Sequence, residues 1–466
     1  MIRVLVISLE FPPVNSTGCY RYLKFIRYFR EFGIEPIVIA PTVESSLQLW
    51  ENRKTDDSLL SQIPANTEIH RIPLPMKAKV NQNKYSALNK AKGYFKYKDN
   101  AAEMWKPGLK RCIEKLKSNQ TFDALFISAP PFSLCKLGVE LSNEYRLPLI
   151  LDMRDDWILN KGYPYLTLWH YWSVYQDLQR ALSAASELLF VTSQLIDITK
   201  KVFPSIASTK CTVVNNGFDL DSPEYSPIFW KPKCGSEKIR IGYAGEFYFD
   251  PIAQENSRKR WWARKGIRKL NYQPGLSLED WKYRSPYFFL KTLRTLFDQS
   301  PEWKDRIFFE YIGNPYWWLN EQMEEFGLKE NFVSHGFVAK SKNLQIQKSF
   351  DLLLCTSEKI IDGESYCISS KLFDAVTIGK PILGFVTNGA AKDFISQSGC
   401  GVVLDPDNVH HSAAEFSKFL LTERKFVPNK EYLSTFEPKR ITSRASAAIH
   451  RAVEKTETAS NQSLRS

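Results

Sequence analysis

Residues 2–41 read IRVLVISLEFPPVNSTGCYRYLKFIRYFREFGIEPIVIAP. The opening run IRVLVISL is short, almost continuously apolar and closed by Pro12 and Pro13, the pattern of a strand buried on both faces. After the loop EFPPVNSTG, the stretch CYRYLKFIRYFREFG lays its apolar side chains on one helical face and stops at Gly33, a residue suited to a helix C-terminus. EPIVIAP is then a second buried strand. Strand, helix and strand at this spacing predict a crossover unit of a parallel sheet.

The same alternation continues outward. FDALFIS, LPLILDM, ELLFVTS and CTVVNNG read as further strands, with helices from about Phe132 to Tyr145, around 168–185 and around 194–203 between them. A Pro- and Ser-rich stretch, DLDSPEYSPIFWKPKCGSE, then precedes a second array of the same kind. In it KIRIGYAG, RIFFEYIG, NFVSHGFV, DLLLCTS, PILGFV and GVVLDP are strands, and YFFLKTLRTLFD, YWWLNEQMEEFG and SSKLFDAVTIG are helices. The expected fold class is α/β, two Rossmann-like doubly wound domains facing a cleft. The boundaries are 1–218 for the first domain, 219–237 for a linker, 238–437 for the second domain with a basic insertion at 253–285, and 438–466 for a returning helix and a frayed tail.

Composition excludes several classes. With 466 residues, 43% of them hydrophobic and 24% charged, the chain is long enough for two globular cores. Its eight cysteines show no Cys-x-x-Cys pair, which fits reduced thiols better than a disulfide framework or a zinc site. The N-terminal run VLVISL is too short for a signal peptide, and no apolar stretch approaches the roughly 20 residues of a membrane span, so a soluble, cytoplasmic protein is expected. The net charge of +12 is concentrated: residues 77–117 carry 12 Lys/Arg against 3 Asp/Glu, and 253–285 carry 9 against 3. Both segments also hold aromatics, Tyr85, Tyr94, Phe95, Tyr97 and Trp105 in one and Trp261, Trp262, Tyr272, Trp281 and Tyr283 in the other. Such mixtures suit an anionic membrane surface, a nucleic acid, or simply a solvated face over buried rings. No recognition-helix or RNA-binding motif accompanies them, so nucleic acid is not expected as a partner.

Three stretches carry candidate chemistry. Ser369, Ser370 and Lys371 open a helix that Gly379 closes; these residues fit an anion site at the helix N-terminus, and equally a plain serine cap followed by a lysine. In PPVNSTG, Ser16, Thr17 and Gly18 stand between a strand and a helix, as a capped turn or as backbone donors for an anion. In DMRDDW, Arg154, Asp155 and Asp156 fall at the carboxyl end of a strand, where ligand-facing residues of open α/β sheets belong. A carboxylate there can orient or deprotonate a hydroxyl, or an Arg–Asp pair can tie down the loop. Asp219-Leu-Asp221 and Asp405-Pro-Asp407 match Asp-x-Asp, and the six histidines show no zinc spacing; no metal is assigned.

Read in order, VLVISLEFPPVNSTGCYRYLKF, PLILDMRDDW, ELLFVTSQ, TVVNNGFDLD, IRIGYAGEF, VSHGFV and SSKLFDAVTIGKPILGFV resemble the GT-B glycosyltransferases of the large family 4, which build bacterial surface polysaccharides. The resemblance implies a retaining, metal-independent hexosyltransferase that needs no cofactor beyond a UDP- or GDP-linked sugar donor. It implies a lipid-linked or membrane-proximal acceptor, and with the basic segments a peripheral position on the inner face of the plasma membrane. It assigns the donor Ser16, Thr17, Gly18, Gly245, Phe337, Val338, Ser369, Ser370, Lys371, Leu372 and Asp374, with Asp374 on the ribose. Catalysis falls to Arg154, Asp155 and Lys371. The chain departs from the family where two glutamates are usual: one is replaced by Asp374 and Glu364 lies ten positions upstream, in a loop from which it is expected to reach the donor sugar. The phosphate ligands that normally follow the first strand of the second domain are displaced by the insertion, leaving Arg258, Lys259 and Lys265 as candidates. A nucleotide-sugar epimerase on the same plan and a noncatalytic membrane-associated relative are the alternatives.

Overall fold

Val4, Leu5, Val6 and Ile7 are fully buried, as strand residues are only when both faces of the sheet are covered. They lie in β1 (Ile2–Ile7), an inner strand in a computed structural model that describes residues 1–50, 53–75, 101–158, 168–219, 223–252, 255, 279–338 and 340–463. The other strands of its sheet are β2 (Ile34–Pro41), β3 (Glu68–Ile72), β4 (Ala124–Ala129), β5 (Leu149–Met153), β6 (Glu187–Phe190) and β7 (Cys211–Val213). Their order is β3-β2-β1-β4-β5-β6-β7, and every neighbouring pair is parallel. The chain builds outward from β1 to β3, then resumes on the other side of β1 with β4. Loops leaving β1 and β4 therefore part in opposite directions, and the crevice between them is the switch point of the sheet.

The second unit repeats the plan. Its strands are β8 (Ile228–Trp230), β9 (Ile239–Ala244), β10 (Glu279–Asp280), β11 (Ile307–Ile312), β12 (Phe332–Ser334), β13 (Leu352–Thr356), β14 (Lys359–Ile360), β15 (Ile382–Phe385), β16 (Gly401–Leu404) and β17 (Arg424–Phe426). Six of them form a parallel sheet in the order β12-β11-β9-β13-β15-β16, with its switch point between β9 and β13. The two α/β units, each wound about a parallel sheet, are the expected fold class.

Local differences from the expected elements have simple causes. β3, Glu-Ile-His-Arg-Ile, is an edge strand whose residues are all half-buried, so it lacks the apolar run that marks the inner strands. The stretch read as a linker supplies β8, which pairs antiparallel with β17; Trp230 donates its indole N–H to Phe419 O at 3.1 Å and stacks on the Phe419 ring. The final helix runs Pro438–Ser463, into the stretch expected to be a frayed tail, because its last turns contain neither Gly nor Pro to stop it. Its Ile441, Ala445, Ala448, Ile449 and Ala452 recur at helical spacing and are buried with Val4, Val6, Phe25 and Phe29 in the core of the first unit.

The basic segments are described only in part. Tyr85, Tyr94, Phe95, Tyr97, Trp261, Trp262 and Tyr272, and with them Arg258, Lys259 and Lys265, lie outside the described residues. Trp105 is fully buried in the Ala101–Lys117 helix and so belongs to the core, not to a lipid-facing surface. Among the described residues no helix is long and apolar enough to cross a membrane.

Candidate donor and acceptor sites

At the second switch point β9 gives way to Gly245, whose φ of +106° is one that side-chain-bearing residues rarely adopt. Close approach adds a second reason for glycine: a Cβ there would lie 3.1 Å from Lys371 Cε. Lys371 comes from the Ser370–Ile378 helix, capped by Ser369, whose hydroxyl accepts the Lys371 N–H at 3.4 Å, and closed by left-handed Gly379. Its ammonium sits 5.1 Å from the centre of the Tyr243 ring and 6.0 Å from that of Tyr248. Among the described residues Lys371 has no ion-pair partner. A helix N-terminus and an uncompensated ammonium thus meet at the switch point of a parallel sheet, an arrangement that can hold a diphosphate.

The other expected donor residues are distributed around this point. Ser370 and Asp374 are exposed on the helix, Glu364 is exposed in the loop ahead of it, and Leu372 is buried, a wall of the core. Phe337 is 70% exposed and Val338 half-buried after β12. A separate cavity of 540 Å³ opens at the carboxyl ends of β15 and β16, and Lys359, Lys392, Asp407, His411 and Arg424 are among the residues that line it.

In the first unit the corresponding crevice holds a buried ion pair. Arg154, 8% exposed, donates from Nη2 to Glu10 Oε2 at 2.7 Å and to the Pro130 carbonyl, and Arg53 reaches Glu10 Oε1 at 3.0 Å. Burial works against the Arg154 charge, but Glu10 outweighs it and holds the guanidinium above its ordinary range. Arg154 therefore ties the β5 loop to the β1 loop through Glu10, a partner the sequence did not suggest. Ser16 caps the Thr17–Tyr28 helix by accepting the Cys19 N–H at 3.0 Å. Beside it a Cβ on Gly18 would fall 2.0 Å from Glu10 Oε2, so the carboxylate of Glu10 already lies against the first turn of that helix. Asp155 is half-buried at the end of β5, and Asp156 is buried and accepts the Ile158 N–H at 3.1 Å.

Of the Asp-x-Asp matches, Asp221 lies outside the described residues and the other three aspartates make local contacts. Asp219 pairs with Lys24 at 3.1 Å, Asp405 accepts the Asp407 N–H at 2.9 Å, and Asp407 takes Lys359 at 2.6 Å. Among the described residues no cluster of His, Cys, Asp or Glu is placed to hold a metal ion. Sequence reading missed Glu279, Arg284 and Glu358, a buried cluster beside the loop that leads to Lys371. One signal was available: Glu358 follows an apolar strand, as Asp155 does.

The chain is similar to known proteins in part of its sequence and in its fold. Residues 290–433, which include the Ser369–Asp374 motif, match the family model of the glycosyl transferases group 1. No curated protein sequence matches the chain. Among solved structures, a sucrose-phosphate synthase from Thermosynechococcus elongatus aligns at TM-score 0.51 and 10% identity over 100% of both chains. An E. coli structure described as "Trehalose-6-phosphate from E. coli bound with UDP-2-fluoro glucose" aligns at 0.50 and 9% identity over 99% of this chain and 98% of that one. The N-terminal domain of a Candida albicans trehalose-6-phosphate phosphatase aligns at 0.50 and 12% identity over 97% and 95%. At such identities the likeness is one of fold, and that fold is GT-B.

Proposed function

We propose that the protein is a retaining, metal-independent glycosyltransferase that moves a hexosyl group from a UDP- or GDP-linked donor to a lipid-linked or membrane-proximal acceptor in surface polysaccharide synthesis. The observation that carries the reading is Lys371, an ammonium without an acidic partner among the described residues, at a helix N-terminus against Gly245. As the bond between the anomeric carbon and the phosphate oxygen breaks, charge develops on the nucleoside diphosphate. Lys371 and the N–H groups of the first helical turn stabilise that charge where it forms. Asp374, exposed on the same helix, takes the ribose hydroxyls. On the acceptor side, Asp155 orients the attacking hydroxyl or accepts its proton, and Arg154, fixed by Glu10, holds the loop that carries it. Support for glycosyl transfer comes from the family match over residues 290–433.

The test is a panel of UDP- and GDP-sugars, read by thermal stabilisation and by slow hydrolysis of the donor. One donor is expected to raise the melting midpoint and to be cleaved with EDTA present, and NMR of the transferred sugar should show the donor's anomeric configuration. No stabilisation by any donor would sink the reading. Release of an isomerised nucleotide sugar would replace it with an epimerase.

A further inference from the structure

Between β13 and the Lys371 helix, the chain is fastened by two carboxylates that the proposed chemistry does not use. Glu358 is 2% exposed and Glu279 is 1% exposed. All four of their oxygens are engaged. Glu358 Oε1 accepts from Ser365 Oγ at 2.8 Å, and its Oε2 lies 3.3 Å from Arg284 Nη2. Glu279 Oε1 accepts the Tyr366 hydroxyl at 3.1 Å, and its Oε2 accepts the Trp281 indole N–H.

Ser365 is held by its backbone as well. Its N–H donates to Asn388 O at 2.8 Å, and its carbonyl accepts the Ala390 N–H at 2.7 Å. Gly389 passes so close that a Cβ would meet Ser365 O at 2.1 Å, and Thr387 donates its hydroxyl to Glu358 O at 2.8 Å. Loops from the carboxyl ends of β13 and β15 are thereby joined just ahead of the capping residue Ser369.

The two carboxylates are buried, and the guanidinium near them, that of Arg284, is 21% exposed and pairs with Glu358. Burial and the charge of Glu358 push the Glu279 carboxyl above its ordinary range, against the pull of Arg284. An apolar cluster of equal volume would stabilise the fold at least as well, so stability alone does not account for the network. What a network with all four carboxylate oxygens engaged supplies is a defined geometry for the groups that it holds.

We propose that Glu358 and Glu279 are positioning residues for the donor diphosphate: by fixing Ser365 and Tyr366 they set where Ser369, Ser370 and Lys371 present their donors. The inference rests on the reading of that helix N-terminus as the diphosphate site.

The test uses the full chain with UDP and GDP as probes, in wild type, Ser365→Ala, Tyr366→Phe and Glu358→Gln. Calorimetric affinity, melting midpoint and amide exchange over residues 365–371 are measured together. Wild type is expected to bind at least one of the nucleotides. Ser365→Ala and Tyr366→Phe, which each remove one hydrogen bond and no charge, should stay folded, bind it about fivefold more weakly and exchange faster over 365–371. In donor hydrolysis KM should rise and kcat should fall with it, because the same donors meet the charge that develops on the diphosphate. Should Glu358→Gln fail to fold, the two milder variants decide. Folded Ser365→Ala and Tyr366→Phe with wild-type affinity, or with a loss confined to kcat, overturn the positioning role and leave the diphosphate reading standing. A wild type that binds neither nucleotide overturns both.

Discussion

Lys371 is half-buried, faces two tyrosine rings and has no ion pair among the described residues, so its charge does little for the fold. Lys371→Ala should leave the melting midpoint near wild type and weaken nucleotide binding by about 1.5–3 kcal/mol, the scale of a hydrogen bond to a charged group. Titration calorimetry with UDP and GDP checks this, and unchanged affinity in the folded variant would reduce the motif to an ordinary serine cap. This residue was legible because capping is local: Ser369, Lys371 and Gly379 fall within one helix. Arg154 was legible as a position but not as a contact. Its partner Glu10 is 144 residues away in sequence, and only the adjacency of β1, β4 and β5 brings the two together. The buried pair of Glu279 and Glu358 was hidden for the same reason, being joined only when β10 pairs with β14.

At the scale of elements, inner strands announced themselves through unbroken apolar runs, whereas β3, β8 and β17 did not, because β3 is half-buried throughout and the short β8–β17 ribbon leaves Phe229 and Lys425 exposed. How neighbouring strands are joined by side chains was equally invisible, and one such joint has a consequence for pH. Arg240 on β9 donates from Nη2 to Glu310 Oε2 on β11 at 2.8 Å, and His335, just after β12, reaches the same oxygen at 2.7 Å. Burial alone would raise the Glu310 carboxyl, but Arg240 and His335 outweigh it and hold it below the usual 4.5. A carboxyl depressed in the folded state contributes stability that is present above its unfolded pKa and is lost as the pH falls through the folded one. Melting midpoints measured from pH 7 down to about pH 3 should therefore fall more steeply for wild type than for Glu310→Gln, with the difference confined to the range below about 4.5. Parallel curves would show that the three strands draw no pH-dependent stability from this joint.

Across the whole molecule the net charge of +12 is unevenly spread. Within the Ala101–Lys117 helix, Lys106 and Lys110 pair with Glu140 and Glu144, and Glu103 takes Lys136. Lys106 and Lys110 are thus met by acids of the protein itself, and Trp105 is part of the core. The densest basic runs are residues 77–98 and 258–269, each with seven Lys/Arg and no Asp or Glu. Together these runs carry more positive charge than the net +12 of the chain. Charge gathered so tightly self-repels unless solvent or an anionic partner compensates it, and a lipid-linked acceptor would supply that partner in the form of the bilayer. Each basic residue near an anionic leaflet contributes about 1 kcal/mol, enough in sum for reversible attachment, and Trp261 and Trp262 would add an apolar share that salt does not screen. Sedimentation with vesicles tests this directly. Binding should require anionic lipid, weaken as salt rises, and drop when Arg258, Lys259, Arg260, Trp261 and Trp262 are all changed to Ser. Equal partition onto neutral and anionic vesicles, or none onto either, would leave both runs as ordinary solvated surface and take away the electrostatic reason for placing the acceptor at a membrane.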